Sequence, residues 1–279
     1  MPNQIYKPAF RSKPRQRSNL RMIIGKTFFT LKRYIDWLRH RKHFAKVKLP
    51  HQPLKYQVFT HKTPLIRILG PDTMSLQHNK ITNLSLTVPS INGLILKPGE
   101  TFSFWRSIGK PTKKKGYLEG MVLHNGKCSP GIGGGLCQLS NLIYWMTIHT
   151  PLTVAERWRH NYDVFPDVNR TQPFGSGATV VYNYVDLQIH NNTEDQYQLM
   201  VWLDDNYLNG AWYCSAEQKL SYQIYENEHM IKSHWWGGYT RWNELKRKVI
   251  DQVGNLIDDQ LVCTNEAIMM YDPLLPTSK

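Results

Sequence analysis

The stretch Gly131-Ile132-Gly133-Gly134-Gly135-Leu136-Cys137-Gln138-Leu139-Ser140-Asn141-Leu142-Ile143-Tyr144-Trp145 constrains this chain more than any other. Three consecutive glycines deliver a cysteine to the first turn of an apolar helix, which should run from Cys137 to near His149 because Pro151 cannot continue it. Glycine admits backbone conformations that other residues avoid, and it lets another chain or a ligand approach closely. A helix N-terminus offers unpaired N–H groups and a positive dipole end, which favour a thiolate over a thiol. Cys137 therefore reads in one of two ways. It is a nucleophile, or it is a small packed hydrophobe behind a glycine run that serves only tight helix packing.

The charge is unevenly placed. The formal net charge is +14, yet residues 1–50 hold 14 Lys and Arg against the single acid Asp36, and residues 51–279 are nearly balanced. Basic character thus belongs to an N-terminal arm, while the apolar and aromatic content of the rest suits a folded body. Residues 1–20 read as an extended basic tail punctuated by Pro2, Pro8 and Pro14. Residues 22–44 place Ile24, Phe28, Leu31, Ile35 and Leu38 on one helical face, flanked by Lys26, Lys32, Arg33, Arg39 and Arg41. Such a helix can lie in an anionic membrane interface, or it can pack on the body with a solvated basic back. No nucleic-acid motif accompanies it, and no nucleic-acid partner is expected.

No secretory signal is evident, since Met22-Ile23-Ile24 is cut short by Gly25 and Lys26. The charge-free span from Cys128 to Ala155 contains a helical part too short to cross a bilayer and reads as a buried core helix. The expected location is cytoplasmic, peripheral at the inner face of the membrane. Cys128, Cys137, Cys214 and Cys263 form no C-x-x-C pair and are expected as free thiols. His124, Cys128 and Cys137 match no common zinc spacing, so neither metal nor cofactor is expected.

Residues 79–90 alternate in polarity, and Asn92-Gly93 and Pro98-Gly99 mark turns between strands. Strands are expected over 154–164, carrying His160, over 178–189, carrying Asp186, and over 197–203. Short strands follow at 222–225, 231–236, 245–250 and 267–271, with turns at Gly237-Gly238 and Gly254-Asn255. The fold class is α+β: a largely antiparallel β-sheet packed on one buried central helix, with an N-terminal amphipathic helix. The division is 1–50, basic tail and amphipathic helix; 51–215, core domain; 216–279, C-terminal β-strand extension.

Four blocks carry a resemblance. They are Asn92-Gly93-Leu94 through Trp105-Arg106; Gly133-Gly134-Gly135 through Thr150-Pro151-Leu152-Thr153; Phe165-Pro166 with Asn169; and Ala178-Thr179-Val180 through Asp186-Leu187, Asn191, Thr193, Tyr197 and Asp204. Together they resemble the VanW family, strongly over residues 75–215 and weakly beyond. The combination of Pro-Gly-Glu-Thr-Phe-Ser-Phe with Gly-Gly-Gly-x-Cys-Gln-x-Ser is specific to it. Where that family often has Asp-Ala-Thr-Val, this chain has Gly177-Ala178-Thr179-Val180. The resemblance implies a cell-envelope role, as an accessory of glycopeptide (vancomycin) resistance, which replaces the D-Ala-D-Ala end of peptidoglycan precursors. It implies no particular reaction.

Two mechanisms follow. In the first, the chain binds peptidoglycan precursors or wall-modifying partners. The glycine loop and helix start, with Gly133, Gly134, Gly135, Gln138 and Ser140, would hold a carboxylate or phosphate on backbone N–H groups. In the second, Cys137, His160 and Asp186 form a cysteine peptidase, amidase or transpeptidase site, in the chain order of papain-like and transglutaminase-like folds. The oligomeric state has no sequence signal.

Overall fold

A computed structural model describes residues 18–66, 74–124, 126–164 and 171–273. The basic tail up to residue 17 and the Phe165-Pro166/Asn169 block lie outside the described residues.

Helix α1 (Asn19–Arg39) opens on Ser18, whose hydroxyl accepts from the Arg21 N–H. It starts and stops a few residues before the span expected from periodicity. Its apolar stripe does not pack on the body. Ile24, Phe28, Leu31, Ile35 and Leu38 are between 49% and 68% exposed. A different face is docked. Arg33 makes a two-pronged pair with Glu156 (2.6 Å for each bond), Tyr34 and Tyr182 share a hydroxyl hydrogen bond (2.7 Å), and Trp37 is buried.

Residues 74–87 correct an expectation. The alternation over 79–90 suggested extended chain, but the segment forms helix α2 (Met74–Thr87), followed by a single 3₁₀ turn at Val88–Ser90. The physical reason is that its buried face is polar. Gln77, Lys80, Asn83 and Thr87 are buried beside Leu84, at intervals of three and four residues. An apolar periodicity cannot register a helix of this kind.

The expected turn at Asn92-Gly93 leads from the 3₁₀ turn into β2 (Leu94–Leu96), that at Pro98-Gly99 connects β2 to β3 (Thr101–Ser103), and helix α3 (Phe104–Ile108) follows. Next come a hairpin, β4 (Glu119–His124) and β5 (Lys127–Ile132), and helix α4 (Cys137–Thr147). Strand β1 (Tyr56–Pro64) pairs with β10 (Tyr207–Cys214), which pairs with β9 (Tyr197–Leu203), all antiparallel; β2 completes the order β1-β10-β9-β2. Helix α4 contacts β1 and β10, with Leu139, Leu142, Ile143, Tyr144 and Met146 buried. Trp212 of β10 is fully buried and donates its indole N–H to Thr147 Oγ1 (3.2 Å).

Two expected strands are corrected. Residues 154–164 form β6 (Thr153–Glu156) and the two-residue β7 (Tyr162–Asp163), with His160 in irregular backbone between them. Residues 178–187 hold no strand; only β8 (Gln188–His190) lies at that end, pairing with β3 and β6. At 178–180 the chain is irregular: side chains of α4 take the Ala178 N–H and the Ala178 and Val180 carbonyls, and Thr179 N–H bonds to Trp158 O.

Beyond residue 219 the four short strands prove to be parts of three long ones, β11 (Leu220–His234), β12 (Gly238–Asp251) and β13 (Leu256–Met269), with turns at the expected glycines. Much of β11 is solvent-exposed, and charges interrupt its pattern. Strand β13 also pairs in parallel with β7, Ile268 opposite Tyr162 and Met269 opposite Asp163. The architecture is mixed α and β with mostly antiparallel sheets. No helix of the described residues is long and apolar enough to cross a membrane.

Candidate functional site

The glycine run forms a turn whose shape needs glycine. A Cβ on Gly134 would overlap the backbone of Gly120, so two chain segments meet here with no room for any side chain. Gly135 has φ +91°, and the stem of Lys80 lies across the space its Cβ would fill. Asn83 fixes this turn from α2: its Nδ2 donates to Gly134 O (2.9 Å) and Leu118 O (3.1 Å), while its Oδ1 accepts from Leu118 N (2.8 Å). The Gly135 N–H is spent on Met121 O (3.0 Å). Gln138 and Leu139 donate their N–H groups back to Gly135 and Leu136 in a tight first turn. Among the described residues, the N–H groups of Leu136 and Cys137 have no hydrogen-bonded acceptor.

Over this turn opens a cavity of about 400 Å³. The glycines, Cys137, Gln138 and Asn141 form one side; Gln77 and Lys80 of α2, Trp105 of α3 and Met121 of β4 contribute others. His160 and the segment 172–177 close it. Lys80 donates to Gln77 Oε1 (2.7 Å), and Gln138 donates to Thr63 Oγ1 (2.9 Å) and Pro64 O (2.8 Å).

Three side chains on one face of α4 hold the far wall. Cys137 donates its thiol to Val180 O (3.7 Å), Ser140 donates to Ala178 O (2.6 Å), and Asn141 Oδ1 accepts from Ala178 N (2.8 Å). Spacing of three and four residues brings them into line. Arg157 binds the carbonyls of Gly175 and Gly177 and stacks its guanidinium on the Tyr144 ring at 4.7 Å. Two asparagines of the C-terminal sheet brace the same wall. Asn265 accepts from Arg157 (3.0 Å) and lies against Gly175, and Asn243 donates to Phe174 O (2.7 Å).

The structure therefore brings Gly133, Gly134, Gly135, Cys137, Gln138 and His160 to one cavity, while Ser140 and Asp186 are engaged elsewhere. Burial pushes the Cys137 thiol above its ordinary pKa, and burial, with the nearby Arg159 charge, pushes His160 down. Asp186 caps α3. It accepts from the Ser103 hydroxyl (2.5 Å), the Trp105 N–H (3.0 Å) and Gln188 Nε2 (3.3 Å). Burial still raises its pKa to about 6. Sequence reasoning missed Lys80, Asn83, Asn141 and Arg157. For Asn141 the signal was present, one helical turn beyond Cys137; for Asn83 and Lys80 it was hidden in the polar face of α2.

Asp186 yields a pH prediction. Its folded pKa exceeds that of an unfolded aspartate, so between about pH 4 and 6 the native state binds more protons than the unfolded one. Stability should fall as pH rises through that window, by roughly 3 kcal/mol at 1.36 kcal/mol per unit. Thermal melts of Asp186→Asn should lose this slope relative to wild type.

Comparison with known proteins now adds to this geometry. Residues 79–213 match the family model described as VanW like protein, a span that includes most of α2, the glycine turn, α4 and the wall at 172–180. The Vancomycin B-type resistance protein VanW of Enterococcus faecalis (strain ATCC 700802 / V583) is 36% identical over 201 residues, covering 71% of this chain and 72% of that protein.

The chain belongs to the VanW family.

A second match is the uncharacterized protein YoaR of Bacillus subtilis (strain 168), 34% identical over 109 residues, which are 39% of this chain and 34% of YoaR. No solved structure matches this chain. Strands β11, β12 and β13 lie wholly beyond the matched family span, although their asparagines brace the cavity wall.

Proposed function

We propose that this VanW-family protein serves glycopeptide resistance at the cell envelope by binding the carboxylate end of a peptidoglycan precursor in the cavity over the glycine turn. The observation that carries this reading is the pair of N–H groups without an acceptor at the start of α4, on Leu136 and Cys137, two residues that line the cavity. Backbone N–H groups at a helix start favour an anion, and Lys80 adds a cation to the same wall. Apolar neighbours such as Leu76, Met121 and Leu142 suit the methyl groups of alanine residues. In this reading α4 is the central buried helix against which the sheet packs, and Cys137, Ser140 and Asn141 are wall supports. The identity with the Enterococcus faecalis resistance protein supports the biological setting.

A second reading, a cysteine peptidase or transpeptidase, is favoured by one observation: Cys137 and His160 line the same cavity. Against it, the thiol is held to a carbonyl with its pKa raised, and Asp186 is committed to α3.

One calorimetric titration separates them. The probes are an acyl-D-Ala-D-Ala peptide with a free carboxylate and the same peptide as its C-terminal amide. The free acid should bind saturably, and the amide at least about tenfold more weakly, a difference near 1.4 kcal/mol. Lys80→Met should weaken the free acid, and Cys137→Ala should leave it nearly unchanged. Equal binding of acid and amide would overturn the carboxylate reading. Alanine release by wild type that disappears in Cys137→Ala would establish the enzyme instead.

A further inference from the structure

We infer that α1 is a lever that lays this protein on an anionic lipid bilayer, with the helix in the plane of the interface. Three observations carry this. First, Leu20, Ile24, Phe28, Leu31, Ile35 and Leu38 form one continuous stripe along α1 and all are exposed. At 1.5 Å per residue the stripe runs roughly 27 Å.

Second, the helix is already docked by another face. At 100° per residue, Arg33 and Trp37 lie about half a turn around the axis from the centre of that stripe. Both are fixed to the body, Arg33 by Glu156 and Trp37 by burial, while Tyr34, bonded to Tyr182, marks the edge between the docked face and the stripe. The body therefore holds α1 from behind and presents its apolar side outward. A helix whose stripe served internal packing would show the reverse. This is an orientation built by specific contacts, and a loosely attached helix would not need it.

Third, charge selects the occupant. Arg21, Lys32 and Arg39 follow one border of the stripe, and residues 1–50 carry 14 basic side chains against one acid. A basic border beside an apolar stripe matches phosphate headgroups above acyl chains, so the partner is a bilayer rich in anionic lipid. A second copy of the chain fits less well, because facing stripes would bring these like charges together. The helix meets no criterion for crossing a membrane, which agrees with an in-plane placement. This inference is independent of what the cavity binds.

The test uses the full chain and vesicles of phosphatidylcholine alone or mixed with phosphatidylglycerol, separated by sedimentation. Wild type should partition at least about tenfold more strongly to the mixed vesicles, and high salt should reduce the bound fraction. Ile24→Glu/Leu31→Glu should lose binding while its melting temperature stays that of wild type, since both side chains are solvent-exposed. Wild type carrying Phe28→Trp should show a blue-shifted emission difference on the mixed vesicles only. Equal partition of wild type and double variant, or no preference for anionic lipid, would overturn the inference. A wild-type dimer in light scattering that the double variant converts to monomer, without vesicle binding by either, would assign the stripe to a second copy and also overturn it.

Discussion

Replacing Gly134 with alanine is expected to cost about 3 kcal/mol or more, read as a fall of roughly 6 °C or more in melting temperature. The added methyl meets backbone atoms of Gly120, and backbone cannot rotate aside as a side chain can. Either the β4–β5 hairpin moves away from the turn or the turn itself opens. Both alter the cavity, because Gly134 and Met121 line it. Loss of ligand binding in this variant therefore reports on folding as much as on contact with ligand, and only melts taken alongside binding data separate the two. Gly120→Ala should behave alike, since the clash is mutual. If Gly134→Ala melts within a degree or two of wild type, the close approach of the two segments is not a constraint.

Asn83→Leu is the second large effect, expected at roughly 3–4 kcal/mol by chemical denaturation. The asparagine is fully buried and serves three backbone groups: Gly134 O, Leu118 O and Leu118 N. Leucine keeps the approximate volume but leaves these groups without partners, at about 1–3 kcal/mol for each that water cannot reach. Not all three costs add, because the loop can relax. Asn83→Asp should do less harm to the Leu118 N–H bond and more to the two carbonyls, which then face a carboxylate. An unchanged denaturation midpoint in Asn83→Leu would mean that water replaces the amide.

What the sequence made legible followed pattern strength. Strand β9 is a nearly continuous apolar run bounded by turn residues, and it lies where expected. Helix α4 has an apolar face, a glycine start and a proline stop, and its length was readable within two residues. Helix α2 was not, because the residues it buries are polar and hydrogen-bonded through tertiary contacts that no local window contains. At the site, the glycine turn and its cysteine were visible, but the duties of the neighbours were not. Asp186 looked like a partner for histidine and is the acceptor that caps α3, a role set by a residue 83 positions away. On α1 the stripe was plain, yet which face docks depends on Glu156 and Tyr182, far along the chain.

The bracing of the cavity wall has a consequence for how the protein is made. Gly175 and Gly177 are held by Arg157, which is in turn held by Asn265, and Phe174 is held by Asn243. A ribosome delivers the glycine turn more than a hundred residues before it delivers Asn265. The nascent chain can thus fold the turn and α4 while the wall at 173–177 is still unbraced, and the pocket matures only when β13 zips onto β12 and β7. The wall is thus completed only with the last sheet, so a nascent chain still short of β13 lacks the braces on Phe174, Gly175 and Gly177 and has no finished cavity.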